Sequence, residues 1–412
     1  MATKKTTKSK SKKVQKQLHE QLVLNKYFLS LFDVNNFGKD FEYLKESSLE
    51  GYNDGRSRFI TEIINRNKCK IPNDTLLRYD DNIRKHTNHI NQQRKREGKE
   101  ITWKYFQYLS ILFVEIYLDM YFSDKNKLKN DLNEFLVKFN TENNTEIEAF
   151  QDEDLKKIAL WNATGSGKTL IMHMNILQYK YYVNHYNESK NLNKIIILTP
   201  NEGLSNQHKE ELKKSNIKAD IFTDEDTLFN HGIKSDVSII DLHKIRRKKG
   251  DKTIALDSFG TNNFVLIDEG HIGLTTSSSS DLSWNEIRNT MSEDGFCMEY
   301  SATFGQAIDS KNKESLEEYS KSIIFDYSYK YFYNDGYGKD YRILNMSNVD
   351  DNNQDEKFKY LVGSMLTFYQ QLKLYNTGEF KTFNIEEPLM IFVGSKVKSN
   401  KKNSSDIVDI LT

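Results

Sequence analysis

The residues best suited to chemistry lie in one run, Asn162-Ala163-Thr164-Gly165-Ser166-Gly167-Lys168-Thr169. It follows the apolar stretch Ile158 to Trp161 and precedes a helical pattern, which is the strand, loop and helix context of a P-loop. Gly165 and Gly167 let backbone N–H groups turn inward toward phosphate oxygens. A helix starting near Lys168 points its positive end at the same anion. The predicted ligands of an ATP phosphate chain are Thr164, Gly165, Ser166, Gly167, Lys168 and Thr169. Lys168 reaches the outer phosphates, and the Thr169 hydroxyl takes a share of Mg²⁺. Asn162 stands where the general P-loop pattern opens with Gly.

A second acidic site follows about a hundred residues on. The apolar run Phe264-Val265-Leu266-Ile267 leads directly into Asp268-Glu269-Gly270-His271. A strand that delivers two acids at its carboxyl end places them where ligands bind in open α/β sheets. Asp268 is the candidate Mg²⁺ partner, Glu269 the base that orients and deprotonates the attacking water, and His271 the link to a neighbouring lobe.

The elements that must position these residues alternate. Short apolar runs at Ile158–Trp161, Ile195–Leu198, Val237–Ile240, Phe264–Ile267 and Phe296–Tyr300 have strand length and read as strands buried on both faces. Helical patterns lie between them, at Thr169–Tyr186 and Ser205–Ser215. Repeated strand and helix predict an α/β fold with a parallel sheet. Upstream, residues from about 14 to 124 look helical. Tyr105–Phe122 is the clearest segment, with Leu109, Leu112, Phe113, Ile116 and Met120 on one face and Glu115 and Asp119 on another. Arg84–Lys99 reads as an exposed helix or loop, and Asp124–Lys156 is charged with a weak helical pattern. After Gly305 the pattern predicts helices at Glu314–Lys321 and Lys357–Leu374, turns and short strands over Phe325–Tyr341, and a buried strand at Leu389–Val393. The expected division is a disordered basic tail over residues 1–13, a helical region over 14–150, an ATPase lobe over 151–345, and a connector with the start of another lobe over 346–412.

Net charge is +0, so the overall balance neither favours nor excludes a polyanionic partner; a basic groove would be hidden in the sum. Two distant cysteines, Cys69 and Cys297, exclude a disulfide framework and a thiolate metal site and fit a cytoplasmic compartment. No apolar run is long enough to cross a bilayer, and the lysine-rich start lacks the apolar segment of a secretion signal. That tail reads as solvated chain, with phosphate contact as the alternative.

Together these residues carry a resemblance. Ala163 to Thr169, Leu198-Thr199-Pro200, Asp268-Glu269-Gly270-His271 and Ser301-Ala302-Thr303 stand in the order of the superfamily-two helicase motifs, and look like Walker A, motif Ia, a DExH-type Walker B and the Ser-Ala-Thr coupling motif. The stretch covers roughly Lys157 to Gly305, the first RecA-like lobe. In detail it is most similar to the helicase (Res) subunit of type III restriction enzymes and related phage-defence helicases, through the Asn-Ala-Thr-Gly-Ser-Gly-Lys-Thr loop, the Thr199-Pro200-Asn201 turn and Glu387-Pro388. Gly270 replaces the Ala of the commonest DEAH box.

The resemblance implies a nucleic-acid-dependent ATPase that uses ATP and Mg²⁺ and acts on DNA, with a methyltransferase subunit as a possible partner. It places Thr199, Pro200, Asn201 and Gln207 near a nucleic acid backbone, so binding would depend weakly on sequence and strongly on salt. Gln207 on a solvated helix face is the alternative. Ser301, Ala302 and Thr303 would couple hydrolysis to strand contact. Gln107 would be the adenine-reading glutamine, or else a glutamine of a buried helix. Arg246-Arg247-Lys248-Lys249 reads as a solvated charge run, with a phosphate-contacting patch as the alternative. No Gln-x-x-Gly-Arg-x-x-Arg element follows Pro388, so the chain reads as the N-terminal piece of a longer protein that binds ATP-Mg but turns over poorly alone. Two other readings share these residues: a nucleotide-gated switch that moves no strand, and a DEAH-type RNA helicase.

Overall fold

A computed structural model of the chain describes residues 17–222, 236–247, 253–270, 282–308, 312–339, 354–379 and 385–391. Residues 1–339 form one compact unit and residues 340–412 a second. The first unit begins with helices: α1 (Val23–Leu31), α2 (Arg58–Asn65), α3 (Asn73–Arg94), α4 (Tyr105–Ser123) and α5 (Lys125–Asn143). Strand and helix then alternate through β1 (Lys157–Asn162), α6 (Lys168–His185), β2 (Lys194–Thr199), α7 (Glu202–Lys214), β3 (Ala219–Ile221), β4 (Val237–Asp241), β5 (Asn263–Asp268), α8 (Trp284–Met291), β6 (Phe296–Ser301), α9 (Lys313–Ser322), β7 (Ile323–Tyr327) and α10 (Tyr329–Asn334).

The seven strands make one parallel sheet in the order β7-β1-β6-β5-β2-β4-β3. This is the expected α/β architecture. Alternation along each strand sends successive side chains to opposite layers. In β2, Ile195 and Ile197 join the core under α1 to α6, while Ile196 and Leu198 join the one under α8. The register aligns the carboxyl ends: Ser301 pairs with Trp161, Tyr300 with Asp268, Leu198 with Ile267 and Thr199 with Asp241. All four motifs therefore leave the sheet along one edge, and β6, which ends in Ser301, separates the P-loop strand from the Asp-Glu strand.

Several expectations on the helical region need correction. Arg84–Lys99 is mostly the second half of α3, and α3 is half-buried: Leu76, Ile83 and Ile90 recur every seven residues on its packed face. The polar neighbours that masked this pattern are used internally. Asn91 bonds the backbone of Ile101 at both ends of its amide, and Thr87 accepts the Trp103 indole N–H. Helix α4 is buried on all sides, and Glu115 and Asp119 are inside it all the same. Glu115 accepts hydrogen bonds from Asn82, Gln178 and Tyr182, and Asp119 from Arg78, Tyr79 and Tyr186. A buried carboxylate is tolerable where donors replace water. Nor does residue 150 divide two bodies, because α1 to α5 and the sheet share one hydrophobic core.

In the second unit, α11 (Gln354–Asn376) matches the helix expected there. The strand expected at Leu389 is not formed over the described part of that segment: residues 385–391 have no regular structure, and Leu389 and Ile391 are exposed. A strand needs at least one neighbour to pair its backbone N–H and C=O groups, and no described strand follows β7. Phe392 and Val393 lie outside the described residues, as does the 1–13 tail. Among the described residues no helix is long and apolar enough to cross a membrane.

Candidate nucleotide site and motor motifs

Strand β1 is buried throughout and ends at Asn162, so the loop after it starts from a fixed point. Gly165 (φ +85°) and Gly167 (φ +91°) both take left-handed backbone, which L side chains rarely adopt. Gly167 has a second constraint. A Cβ there would lie 2.5 Å from the Gln107 Nε2. That amide comes from the first turn of α4, donates to the Ser166 carbonyl (2.8 Å), and at its other end accepts from the Lys104 backbone N–H (2.9 Å). Gln107 thus does lie against the P-loop despite its distance in sequence. One donor and one acceptor position of its amide remain for a ligand. The Ser166 hydroxyl and the Asn162 carboxamide are buried with no hydrogen-bond partner among the described residues.

Lys168 opens α6, and its Nζ is 2.9 Å from Glu269 Oε1. The candidate phosphate-binding cation and the candidate base therefore meet at the carboxyl ends of two strands. Glu269 has φ +57°, an uncommon conformation for a residue with a side chain. It turns the chain immediately after β5 and separates Glu269 from Asp268. Asp268 is buried, and its Oδ2 is 3.0 Å from His208 Nε2. Burial would raise the Asp268 carboxyl, but the His208 hydrogen bond and charge, Lys168 and the Glu269 N–H outweigh it and hold the group below its ordinary value. Gly270 packs on the buried Glu299, so a Cβ there would come to 3.1 Å from Glu299 Oε2. This is a local reason for glycine where the commonest box has alanine. His271 lies outside the described residues.

These residues fit Mg²⁺ held with nucleotide. Such an ion keeps one or two carboxylates, a hydroxyl and the substrate phosphates as ligands, so it needs no dedicated protein cage. Asp268 and Thr169 would supply the carboxylate and the hydroxyl, and no group of three or more acidic, His or Cys side chains that could hold a metal ion occurs among the described residues.

The motif Ia residues divide. Asn201 and Gln207 are exposed, and Pro200 is half-buried. The Asn201 side chain also caps α7 by accepting from the Leu204 N–H. Thr199 is a correction: it is fully buried, and its hydroxyl is engaged with Ser205 (2.6 Å) and the Ile240 carbonyl. Its side chain builds the turn and cannot reach a nucleic acid. Arg247 pairs with Glu286 (2.8 Å), in keeping with a solvated run; Lys248 and Lys249 lie outside the described residues.

The Ser-Ala-Thr turn touches the P-loop strand directly. Trp161 Nε1 donates to the Ala302 carbonyl (3.0 Å), and the Thr303 N–H donates to the Ser301 hydroxyl (3.0 Å). Gly305 lets the chain pass over the Trp161 ring, since a Cβ would fall 2.5 Å from it. Trp161 and His208 are the site neighbours that motif reading missed. For His208 a signal existed: Ser205, His208 and Leu212 follow helical spacing and form the buried face of α7.

Residues 124–306 match the family model of the type III restriction enzyme, res subunit. Over these residues, rather less than half of its length, the chain is similar to that subunit. No curated protein matches the chain. Among solved structures it is similar to the Sulfolobus solfataricus SWI2/SNF2 ATPase core in complex with dsDNA, at 15% identity and a TM-score of 0.26. That match covers 41% of this chain and 31% of the other.

Proposed function

We propose that this chain is an ATP-driven motor that acts on DNA, in a type III restriction system or a related phage-defence system. The observation that carries the reading is the convergence of Lys168 and Glu269 beside Asp268, at the aligned carboxyl ends of β1 and β5. Lys168 and the inward-turned N–H groups of Thr164 to Thr169 hold the phosphates. Glu269, placed by its left-handed backbone, orients the attacking water and takes its proton. Asp268 and Thr169 would hold Mg²⁺, which when bound would supply positive charge for the phosphate oxygens. Ser301 to Thr303, bonded to Trp161, report the state of the P-loop strand to the next edge of the sheet. Pro200, Asn201 and Gln207 lie on the same edge and supply backbone contacts to DNA.

The test is phosphate release by the purified chain, with and without single-stranded DNA, duplex DNA or RNA. DNA should raise turnover or tighten ATP binding, and Lys168→Ala should abolish the DNA-dependent part. An activity indifferent to every nucleic acid would instead establish a nucleotide-gated switch. Stimulation by RNA alone would establish an RNA helicase.

A further inference from the structure

We propose that Glu299 is a positioning residue for hydrolysis: its side chain, locked in a buried cluster of charges, forms the wall on which Gly270 rests and so sets where the preceding residue, Glu269, points. This rests on the ATPase reading above and adds to it the part of the molecule that holds the base in place.

In the sheet Glu299 of β6 stands in register between Ala159 of β1 and Ile267 of β5. Ala159 belongs to the apolar cluster under α9, and Ile267 to the one under α8. An apolar side chain at residue 299 would have joined the two clusters. The seam holds charges instead. Glu299 is fully buried; its Oε1 accepts from Arg288 of α8 (2.7 Å) and pairs with Lys157 of β1 (3.1 Å), and its Oε2 accepts from the Tyr319 hydroxyl of α9 (2.5 Å). Glu318 of α9 takes the same two cations, at 2.6 Å from Arg288 and 2.7 Å from Lys157. Lys157 also lies over the Tyr319 ring, 4.0 Å from its centre. Burial would raise the Glu299 carboxyl, but Lys157 and Arg288 outweigh it and hold the group below its ordinary value.

Stability alone does not account for such a cluster, because well-packed apolar residues in place of buried ion pairs are often neutral or stabilising. What directional pairs add is a single side-chain geometry, and the Asp-Glu turn leans on it. A Cβ at Gly270 would meet Glu299 Oε2 at 3.1 Å, its Cβ at 3.3 Å and its Cδ at 3.5 Å. The Gly270 N–H donates to the carbonyl of Tyr300, the next residue of β6 (3.1 Å). Side chain and backbone of one strand thus hold Gly270 at two points. The residue they steady is Glu269, whose left-handed backbone persists only where its surroundings determine it. Arg288, Lys157 and Tyr319 tie the same carboxylate to α8, β1 and α9, so the wall beneath the base is fixed from three elements.

The experiment measures phosphate release by the full chain, with Mg²⁺ and excess duplex DNA, across a range of ATP concentrations, which separates kcat from KM. Glu299→Gln and Glu299→Ala both remove the charge, so the urea midpoint of each should fall. Only alanine removes the wall: the glutamine amide keeps the shape, accepts from Arg288 and Lys157 and donates to the Tyr319 hydroxyl. Glu299→Ala should lower kcat about 100-fold, the cost of misplacing a reacting group by about 1 Å, and leave KM within about twofold. Glu299→Gln should keep kcat within about threefold of the parent, since the wall stays in place. Gly270→Ala presses on the same carboxylate from the other side and should lower kcat about fivefold at a similar KM, which carries the test if the Glu299→Ala chain does not fold. A parent-like kcat in folded Glu299→Ala or in Gly270→Ala overturns the proposal, as does an equal loss of kcat in the glutamine and alanine variants. A parent chain that releases no phosphate overturns the ATPase reading itself, and this proposal with it.

Discussion

Gly167 and Gln107 form a contact that can be tested quantitatively. In Gly167→Ala two costs arise together. The residue has φ +91° and ψ 26°, and an L side chain in the left-handed region costs about 1–2 kcal/mol. The new Cβ also lies 2.5 Å from Gln107 Nε2, so the amide must withdraw and its 2.8 Å bond to the Ser166 carbonyl is lost, worth about 1 kcal/mol net. The substitution should therefore destabilise the chain by about 2–3 kcal/mol. Gln107→Ala alone should cost about 1 kcal/mol for the same bond. The double variant should fall short of the sum by about 1 kcal/mol, because the clash vanishes and the bond cannot be lost twice. Urea unfolding of the four chains measures this, provided the denaturant slope is unchanged across them. Additivity within about 0.3 kcal/mol would refute the contact, since independent sites add to that level. The strain at residue 167 would remain in the double variant, so ATP binding should stay impaired there, and the double variant should be about as stable as Gly167→Ala alone.

Other outcomes follow from the same geometry. Glu269→Gln should keep nucleotide binding but lower turnover by roughly 10²–10⁴, the range for loss of a general base; turnover near the parent rate would remove Glu269 from that role. His208→Ala should raise the Mn²⁺ or Mg²⁺ concentration needed for half-saturation by roughly 10–100-fold, because Asp268 loses the group that orients it, while His208→Gln should recover most of this; an unchanged metal titration in the alanine variant would show the His208 contact to be packing alone. Glu115 is pushed up to about 7 by burial, against the pull of Asn82, Tyr182 and Gln178. Its folded value lies above its unfolded value of 4.5, so the native chain holds the extra proton between those limits and stability falls as pH rises from about 4.5 to 7, by at most about 3 kcal/mol. Urea midpoints across that range check the sign, and a midpoint that rises with pH through a slope absent in Glu115→Gln would contradict it.

Where the sequence was legible, a motif coincided with a strand end. The apolar runs of β1, β2, β4, β5 and β6 announce strands because both faces are buried, and the P-loop, Asp-Glu and Ser-Ala-Thr groups stand immediately after three of them. β3 was missed because three residues at an edge, two half-buried around the exposed Asp220, carry almost no pattern. Thr199 was misassigned because the motif names a position in sequence, whereas contact depends on which way the side chain faces; here it faces Ser205. Helix α4 was read as amphipathic because Glu115 and Asp119 are charged, and no periodicity shows that donors from α3 and α6 await them. The left-handed turn at Glu269 has no compositional mark at all, since glycine would be the usual choice there.

The family-matched segment, residues 124–306, should not fold as an independent unit, and the reason lies in α4 and β7. Strand β1, which carries the P-loop, is paired on one side by β6 and on the other by β7, and β7 falls at Ile323–Tyr327, beyond the matched segment. A chain cut at residue 306 would leave the backbone groups of β1 without partners along one edge. At the other end, α6 packs on α3 and α4, and its buried Gln178 and Tyr182 are satisfied by Glu115. A chain begun at Asp124 would open that face to water, together with Ile171, Met172, Met174 and Ile176 of the shared core. The P-loop would also lose Gln107. The segment 124–306 should therefore lack a cooperative urea transition and bind ATP at least tenfold more weakly than residues 17–339, since removing the support of a preorganised cradle adds its ordering cost to binding. A cooperative transition and parent-like ATP affinity in the short segment would show that the helical region is an accessory. Their loss would show that the matched segment depends on the preceding helices and on β7 for its fold and its nucleotide site.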